Sequence, residues 1–271
     1  MRIRVVLLLI VGALVVGAGC NNYDKLLKST DADRQYRTAM AFYNRGKYHK
    51  AAPLLERALP LLRTTQRGDS VHYYLFNSYY HDSEYLMAGY YAQQLAQSYP
   101  KSPFLEEALY MVAYSHYRQA PRYSLDQEFT LKGITSFEYF LDRFPNSDRR
   151  VQASSMLQDL QGRLLEKSYR NARMYYDMGM YKAAVSALKY SLEQYPTGPY
   201  REEQLFLSLK SAYRLAERSI DEKKRERYQK TIDEYYTFVS AYPDSRYSAE
   251  AKEYHTKAME FLGRRADGAA R

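Results

Sequence analysis

The sequence predicts an all-α protein, an α-solenoid of about five helix pairs closed by a C-terminal capping helix. Three observations lead there. Apolar and small residues recur at three- and four-residue spacing through most of the chain, as in helices that bury one stripe. A helix-ending signal recurs four times, in Ser98-Tyr99-Pro100-Lys101-Ser102, Arg143-Phe144-Pro145-Asn146-Ser147, Gln194-Tyr195-Pro196 and Ala241-Tyr242-Pro243-Asp244-Ser245. In each, an aromatic residue ends the helix, Pro stops it, and in three of them a Ser can cap the next helix. Finally, YRNARMYYDMGMYKAAVSALKYSLEQYP, from Tyr169 to Pro196, reads as two amphipathic helices around a turn at Gly179. Ala172 and Tyr175 share one face, Ala184 and Leu188 another, and Gly179 supplies the positive φ of a helix end.

Small residues where two helices approach, with this length and turn, form the pattern of a tetratricopeptide (TPR) pair, whose period is about 34 residues. Such a pair cannot bury its apolar face alone, so the remaining chain must supply neighbours. In order, Gln35 to Leu62 gives the first pair, with Ala39 and Phe42, a turn at Gly46, then Ala51, Leu55 and Ala58. Pro53 is placed in the first turn of its second helix, where it is tolerated. Val71 to Pro100 is the second pair, with His81-Asp82-Ser83 in place of a Gly turn. Glu106 to Pro145 is the third, interrupted by an added loop from Arg118 to Gln127 (RQAPRYSLDQ), with Gly133, Phe137 and Phe140 inward. Asp148 to Met178 reads as one long helix that ends as the first helix of the fourth pair. Glu202 to Pro243 is the fifth, with a charged run DEKKRER read as a solvated helix end. Ser248 to Leu262 is the cap, with Ala251, Tyr254, Ala258 and Phe261 on one stripe. The expected divisions are repeats 1–3 over 31–147, repeats 4–5 with the cap over 148–262, and a disordered polar tail over 263–271.

Residues 1–19 have a basic start (Arg2, Arg4), an apolar run from Val5 to Val16 and the small residues Gly17-Ala18-Gly19. That is a secretory signal peptide, and its apolar run is short for a membrane span. Cys20 follows at once and is the single cysteine of the chain, so it has no disulfide partner. The pattern resembles a bacterial lipobox, in which the signal is cut before the cysteine and the sulfur is lipidated, although Gly17 stands where Leu is usual. An ordinary signal peptide beside a free cysteine is the alternative. Residues 20–30 then read as a lipidated tether. Asn21, by resemblance to bacterial sorting rules, favours the outer membrane. Cleavage before Cys20 would lower the net charge of +9 by the two leader arginines.

Tyr is over-used, with 31 in 271 residues and no Trp. On the first helices, Tyr36 and Tyr43 are seven apart, as are Tyr73 and Tyr80, Tyr110 and Tyr117, and Tyr169 and Tyr176. Seven residues is about two turns, so each couple shares a face. Met40, Asn77, Tyr114 and Arg173 lie between them, with Asn44 and His81 alongside. These rings either pack between repeats or line a groove for an extended peptide, burying apolar side chains while hydroxyls satisfy backbone groups. The candidate peptide groove is therefore Tyr36, Met40, Tyr43, Asn44, Tyr73, Asn77, Tyr80, His81, Tyr110, Tyr114 and Tyr117. In the fifth pair Leu209 and Ala216 are taken as the matching places, so the ladder is expected to stop, and Tyr169, Arg173, Tyr176 and Leu209 become candidate partner contacts.

There is no GxGxxG, P-loop, HExxH or G-x-S-x-G, and the five His lack metal-ligand spacing. No catalytic residue, metal or cofactor is expected beyond the covalent lipid on Cys20, and the chain reads as a non-enzyme. The positive charge raises polyanion binding as a reading; the dispersed lysines and arginines and the export signal argue against nucleic acid.

The lipoprotein signal at Cys20, the five TPR-like pairs, the insertion APRYSLDQ, the repeated [FY]-P-x-S ends and LLEKSYRNARMYYDMGMYKAAV together resemble the BamD (YfiO/ComL) family of the bacterial β-barrel assembly machine. The resemblance implies a periplasm-facing scaffold and receptor, anchored in the outer membrane by lipid. It implies binding to the POTRA domains of the barrel subunit BamA, mostly through the C-terminal repeats, and contact with other subunits of the machine. It further implies that the N-terminal repeats receive unfolded outer-membrane proteins through an aromatic-rich C-terminal signal. The alternative function is a periplasmic TPR lipoprotein scaffolding cell-envelope or division complexes.

Overall fold

The computed structural model describes residues 22–269, with side chains described through residue 263. Cys20 and the leader lie outside the described residues. The described residues form helices α1 (22–27), α2 (Ala32–Tyr43), α3 (Tyr48–Leu62), α4 (Gly68–His81), α5 (Tyr85–Ser98), α6 (Leu105–Gln119) and α7 (Glu128–Arg143), then α8 (Arg150–Asp177), α9 (Tyr181–Gln194), α10 (Arg201–Glu217), α11 (Asp221–Ala241) and α12 (Ser248–Ala269). The class is all-α, with five TPR-like pairs from α2–α3 to α10–α11, followed by α12. The long helix expected from Asp148 to Met178 is α8.

Local chemistry explains both kinds of helix end. At the turns inside pairs, Gly46, Ser83 and Gly179 all adopt left-handed backbone, with φ of 68°, 63° and 71°. Their N–H groups donate to Tyr43, Tyr80 and Tyr176 carbonyls, and the next N–H reaches back to Phe42, Tyr79 and Tyr175. This is the same Schellman closure three times, satisfying carbonyls the helix leaves open. Ser83 does in the second pair what glycine does in the first and fourth. At the ends of pairs, Tyr99, Phe144, Tyr195 and Tyr242 are the C-cap residues, with φ between −141° and −128° and an N–H bonded four residues back. Ser102, Ser147 and Ser245 accept the N–H two residues on, so they shape the connection and are not themselves helix N-caps.

Contacts divide the chain into two compact units. Unit 1 comprises the residues through Pro121 with Asp126–Gln161, and unit 2 comprises Arg122–Leu125 with Gly162 onward. The division falls inside the continuous helix α8, not at the expected 147/148 junction, because the first turns of α8 complete the third pair. Ala153 and Leu160 are fully buried with Phe137 and Phe140 of α7 and Ala113 of α6. Gly133 is required for that approach: a Cβ there would lie 2.7 Å from Leu160 Cδ1.

In unit 1, successive helices pack in sequence from α2 to α7. Glu56 on α3 joins the first two pairs, since one of its carboxylate oxygens accepts from Tyr79 Oη of α4 at 2.6 Å and Tyr91 Oη of α5 at 2.7 Å. The two phenol rings stack 5.7 Å apart. In unit 2, Tyr169, Ala172, Leu188 and Leu207 form one core. Phe206, Leu209, Tyr213, Ile232, Phe238, Ala251 and Tyr254 belong to the other.

Three expectations are corrected here. The segment read as a tether is helical over 22–27, with Leu26 buried among Leu54, Leu55 and Ala58 and Tyr23 Oη donating to the Lys50 carbonyl at 2.9 Å. Apolar Tyr23, Leu26 and Leu27 share a stripe that the reading of this stretch as a link overlooked. The tail expected to be disordered from 263 is helical through Ala269, because α12 meets no stop signal at Gly263. Pro53 lies in the second turn of α3, not the first, and Pro60 shares the helix with it.

Candidate binding surface

Within each unit the tyrosine couples fall into two rows with different environments. The inner row is Tyr36, Tyr73, Tyr110 and Tyr169. Each ring is covered by the residue just before the next pair begins. The Arg67 guanidinium lies 5.7 Å from the Tyr36 ring, Phe104 stacks on Tyr73 at 4.1 Å, the Arg149 guanidinium lies 4.5 Å from Tyr110, and Tyr200 stacks on Tyr169 at 4.4 Å. Tyr110 and Tyr169 are consequently buried, at 4% and 1% exposure. This row is chiefly packing between repeats.

The same relation corrects the fifth pair. Tyr247 stacks on Phe206 at 4.3 Å, and Phe206 and Tyr213 are seven apart. The ladder therefore continues, with Lys210 between its two rings. Leu209, expected to touch a partner, is fully buried in the core. Taking Leu209 and Ala216 as the matching places sets the fifth pair three residues out of register. Counted from Tyr169 and Tyr176, the 37-residue step leads to Phe206 and Tyr213.

The outer row is Tyr43, Tyr80, Tyr117 and Tyr176, beside the turns inside pairs. Sequence reasoning missed its partners. Two residues after each left-handed turn residue comes another tyrosine: Tyr48, Tyr85 and Tyr181. These pack on Tyr43, Tyr80 and Tyr176 at 5.2, 6.3 and 5.9 Å. The Y-x4-Y spacing across each turn was the available signal. Each turn tyrosine then meets a side chain from the end of the next first helix. His81 stacks on Tyr48 at 4.2 Å, Arg118 lies over Tyr85 at 4.2 Å, and Arg218 lies over Tyr181 at 4.9 Å.

On unit 1 this produces a joined, half-buried aromatic face. Tyr43 meets Tyr74 at 5.0 Å, Tyr80 meets both His81 and Tyr114, and Tyr114 meets Tyr110 and Tyr117. Met40 is half-buried, Asn44 and His81 are exposed, and Asn77 is buried with its amide donating to the Tyr73 carbonyl at 3.1 Å. The Tyr73 hydroxyl donates to Glu107 at 3.2 Å. Burial, and then neighbouring tyrosines, push Tyr43 up to about 12; burial and Glu107 do the same to Tyr73. The Tyr43 and Tyr73 phenols are therefore neutral donors at physiological pH.

The middle positions distinguish the units. In unit 1 they are Met40, Asn77 and Tyr114, all neutral. In unit 2 they are Arg173, paired with Glu203 at 3.0 Å, and Lys210, paired with Glu250 at 2.7 Å. Unit 2 also carries an open groove of about 560 Å³ lined by Met180, Tyr181, Ala183, Leu215 and Arg218. Met180 in this groove is 49% exposed, and Met178 and Ile220, each within two residues of a lining residue in the chain, are 58% and 64% exposed.

Five helix pairs with recurrent turns and a ring-bearing face define a TPR-like repeat protein. The profile of the outer membrane lipoprotein family YfiO matches residues 28–227, and the chain belongs to that family. Over 185 residues, 67% of this chain, it is 26% identical to a protein of Aquifex aeolicus (strain VF5) assigned as outer membrane protein assembly factor BamD. It is 25% identical over 185 residues to the outer membrane protein assembly factor BamD of Caulobacter vibrioides. The matches span 60% and 57% of the lengths of these relatives. The TPR2AB domain of yeast Sti1, from a complex with pHSP90, compares at a TM-score of 0.41 and 12% identity, over 84% of this chain and 98% of that one. Among the described residues, no helix is long and apolar enough to cross a membrane.

Proposed function

We propose that this chain is a non-catalytic scaffold and receptor in the assembly of β-barrel proteins into the outer membrane, held there by a lipid on Cys20. Membership of the lipoprotein family and the names of its relatives support the setting. The observation that carries the receptor role is the joined aromatic face of unit 1, whose middle positions are all neutral. A half-buried phenol offers ring area and a hydroxyl with little rotamer freedom to lose, which suits an extended chain of alternating aromatic and polar residues. Unfolded outer-membrane proteins are the proposed ligand of unit 1. BamA POTRA domains and other subunits of the machine are the proposed partners of unit 2. Its exposed Met178, Met180 and Ile220 beside Arg218 suit a protein contact better than the buried Leu209.

The test is binding of a synthetic peptide copying the last strand of an outer-membrane barrel protein. Replacing Tyr43, Tyr48 and His81 together by Ala should weaken it at least about tenfold, since each aromatic contact contributes about 0.5–1.5 kcal/mol. The helical circular dichroism should persist. Unchanged affinity in the folded triple variant would refute the receptor role of this face.

A further inference from the structure

We propose that Arg118, held by Tyr85 and Tyr114, is a carboxylate-binding subsite at the edge of the unit 1 aromatic face. This rests on the peptide-receptor reading above and names the group of the peptide that the face selects. The RQAPRYSLDQ stretch reads as an added loop in the sequence, but α6 extends to Gln119, so Arg118 sits on its last turn. There it occupies the place that His81 has in the preceding pair, 37 residues earlier.

The argument rests on charge. Two arginines lie over ladder rings and a third bonds a ladder hydroxyl, and each has a carboxylate within ion-pair distance. Arg67 has Asp33 at 2.6 Å, Arg149 has Glu107 at 3.5 Å, and Arg173 has Glu203 at 3.0 Å. Arg173 also bonds the Tyr169 hydroxyl at 3.0 Å. Arg118 repeats the ring contacts without the acid. Its guanidinium lies 4.2 Å from the Tyr85 ring, and Nη1 donates to Tyr114 Oη at 2.9 Å. No carboxylate pairs with it among the described residues. Stacking on Tyr85 and the bond to Tyr114 hold the guanidinium plane, and Arg118 itself is exposed. A guanidinium has five donors in a rigid fork matched to two carboxylate oxygens. One is used on Tyr114, so an edge remains for a ligand. Restraint by two rings means less freedom is lost on binding than for a free surface arginine. The complementary ligand is a peptide that places a carboxylate beside its aromatic residues. That carboxylate is either the chain terminus or an Asp or Glu side chain.

The experiment uses a short peptide of alternating Tyr and Ser ending in Phe, made as the free acid and as the C-terminal amide, and a further amide with one internal Asp or Asn. Binding to the full chain and to its R118Q and R143Q variants is measured at low salt, with thermal melts confirming that all are folded. Wild type should bind at least one carboxylate form about tenfold or more tighter than its neutral counterpart, as expected for a charge-assisted fork. R118Q should abolish that ratio, and R143Q, which removes an arginine elsewhere in unit 1, should retain it. Acid over amide identifies the chain terminus as the source; Asp over Asn identifies a side chain. If wild type shows no preference, or if R118Q keeps it, the proposal falls while the receptor reading stands. If none of the peptides binds, both fall.

Discussion

Glu56 is the most informative single side chain to remove. Its carboxylate on α3 accepts from Tyr79 of α4 and Tyr91 of α5, at 2.6 and 2.7 Å, so it ties the first pair to both helices of the second. A hydrogen bond to a charged group contributes about 1.5–3 kcal/mol to stability. All three side chains are half-buried, so water can replace part of what is lost and the lower end applies. Two bonds at about 1.5 kcal/mol each, less partial rehydration, give about 2 kcal/mol for Glu56→Ala. For a unit of this size that lowers Tm by about 4–8 °C. Glu56→Gln keeps an acceptor oxygen and should lose about half as much. The assay is thermal and urea unfolding by circular dichroism, with Tyr79→Phe and the double variant completing a cycle. Because both substitutions delete the same bond, the double variant should be more stable than the sum predicts, by about 1 kcal/mol. A Glu56→Ala melt within about 1 °C of wild type, or full additivity with Tyr79→Phe, would refute the bridge.

The remaining predictions concern the turns and the phenols. Ser83 carries a left-handed backbone that costs a non-glycine residue about 1 kcal/mol, so Ser83→Gly should raise stability by about 0.5 kcal/mol after the greater freedom of unfolded glycine is offset. Gly46→Ala, with nothing within 4 Å of the added methyl, should lower it by about 1 kcal/mol through backbone strain alone; the urea midpoint reads both, and an unchanged midpoint in either defeats the account. Tyr43 and Tyr73 are pushed up to about 12 by burial first, and burial with Glu56 raises Tyr79 and Tyr91 further. Above about pH 10 the unfolded chain releases phenol protons that the folded chain keeps. Stability is therefore full below about pH 10 and falls as pH rises towards about 12. Urea midpoints across that range, alongside tyrosinate absorbance, check this, and phenols that all titrate near the ordinary value would contradict it.

The fold was legible because its signals are local. Aromatic-Pro helix ends, Gly46 and Gly179 at turns, and small residues at crossings each act within a few positions of themselves. The aromatic face was half legible. Seven-residue couples placed Tyr36 to Tyr176 on one side of their helices, but spacing cannot show which ring a neighbouring connection will cover. The inner row is covered by Arg67, Phe104, Arg149 and Tyr200, residues about a whole repeat downstream, and that is tertiary information. The fifth pair shows the hazard of aligning repeats across insertions. A three-residue slip along a helix moves the chosen position by nearly one turn, close enough to look right, and it substituted the core residue Leu209 for Phe206. Ser83 was a milder case, since its backbone conformation is imposed by the Schellman closure against the preference of its own side chain.

If Cys20 carries the proposed lipid, the short helix α1 sets how far the folded chain stands from it. Its Leu26 is seated among side chains of α3, and it begins two residues after Cys20. Two residues of extended chain reach at most about 7 Å. A lipid carried on Cys20 thus has almost no leash. An anchored molecule of this kind would berth with its first repeat against the bilayer, and lengthening the 21–22 junction would be the way to let it swing free.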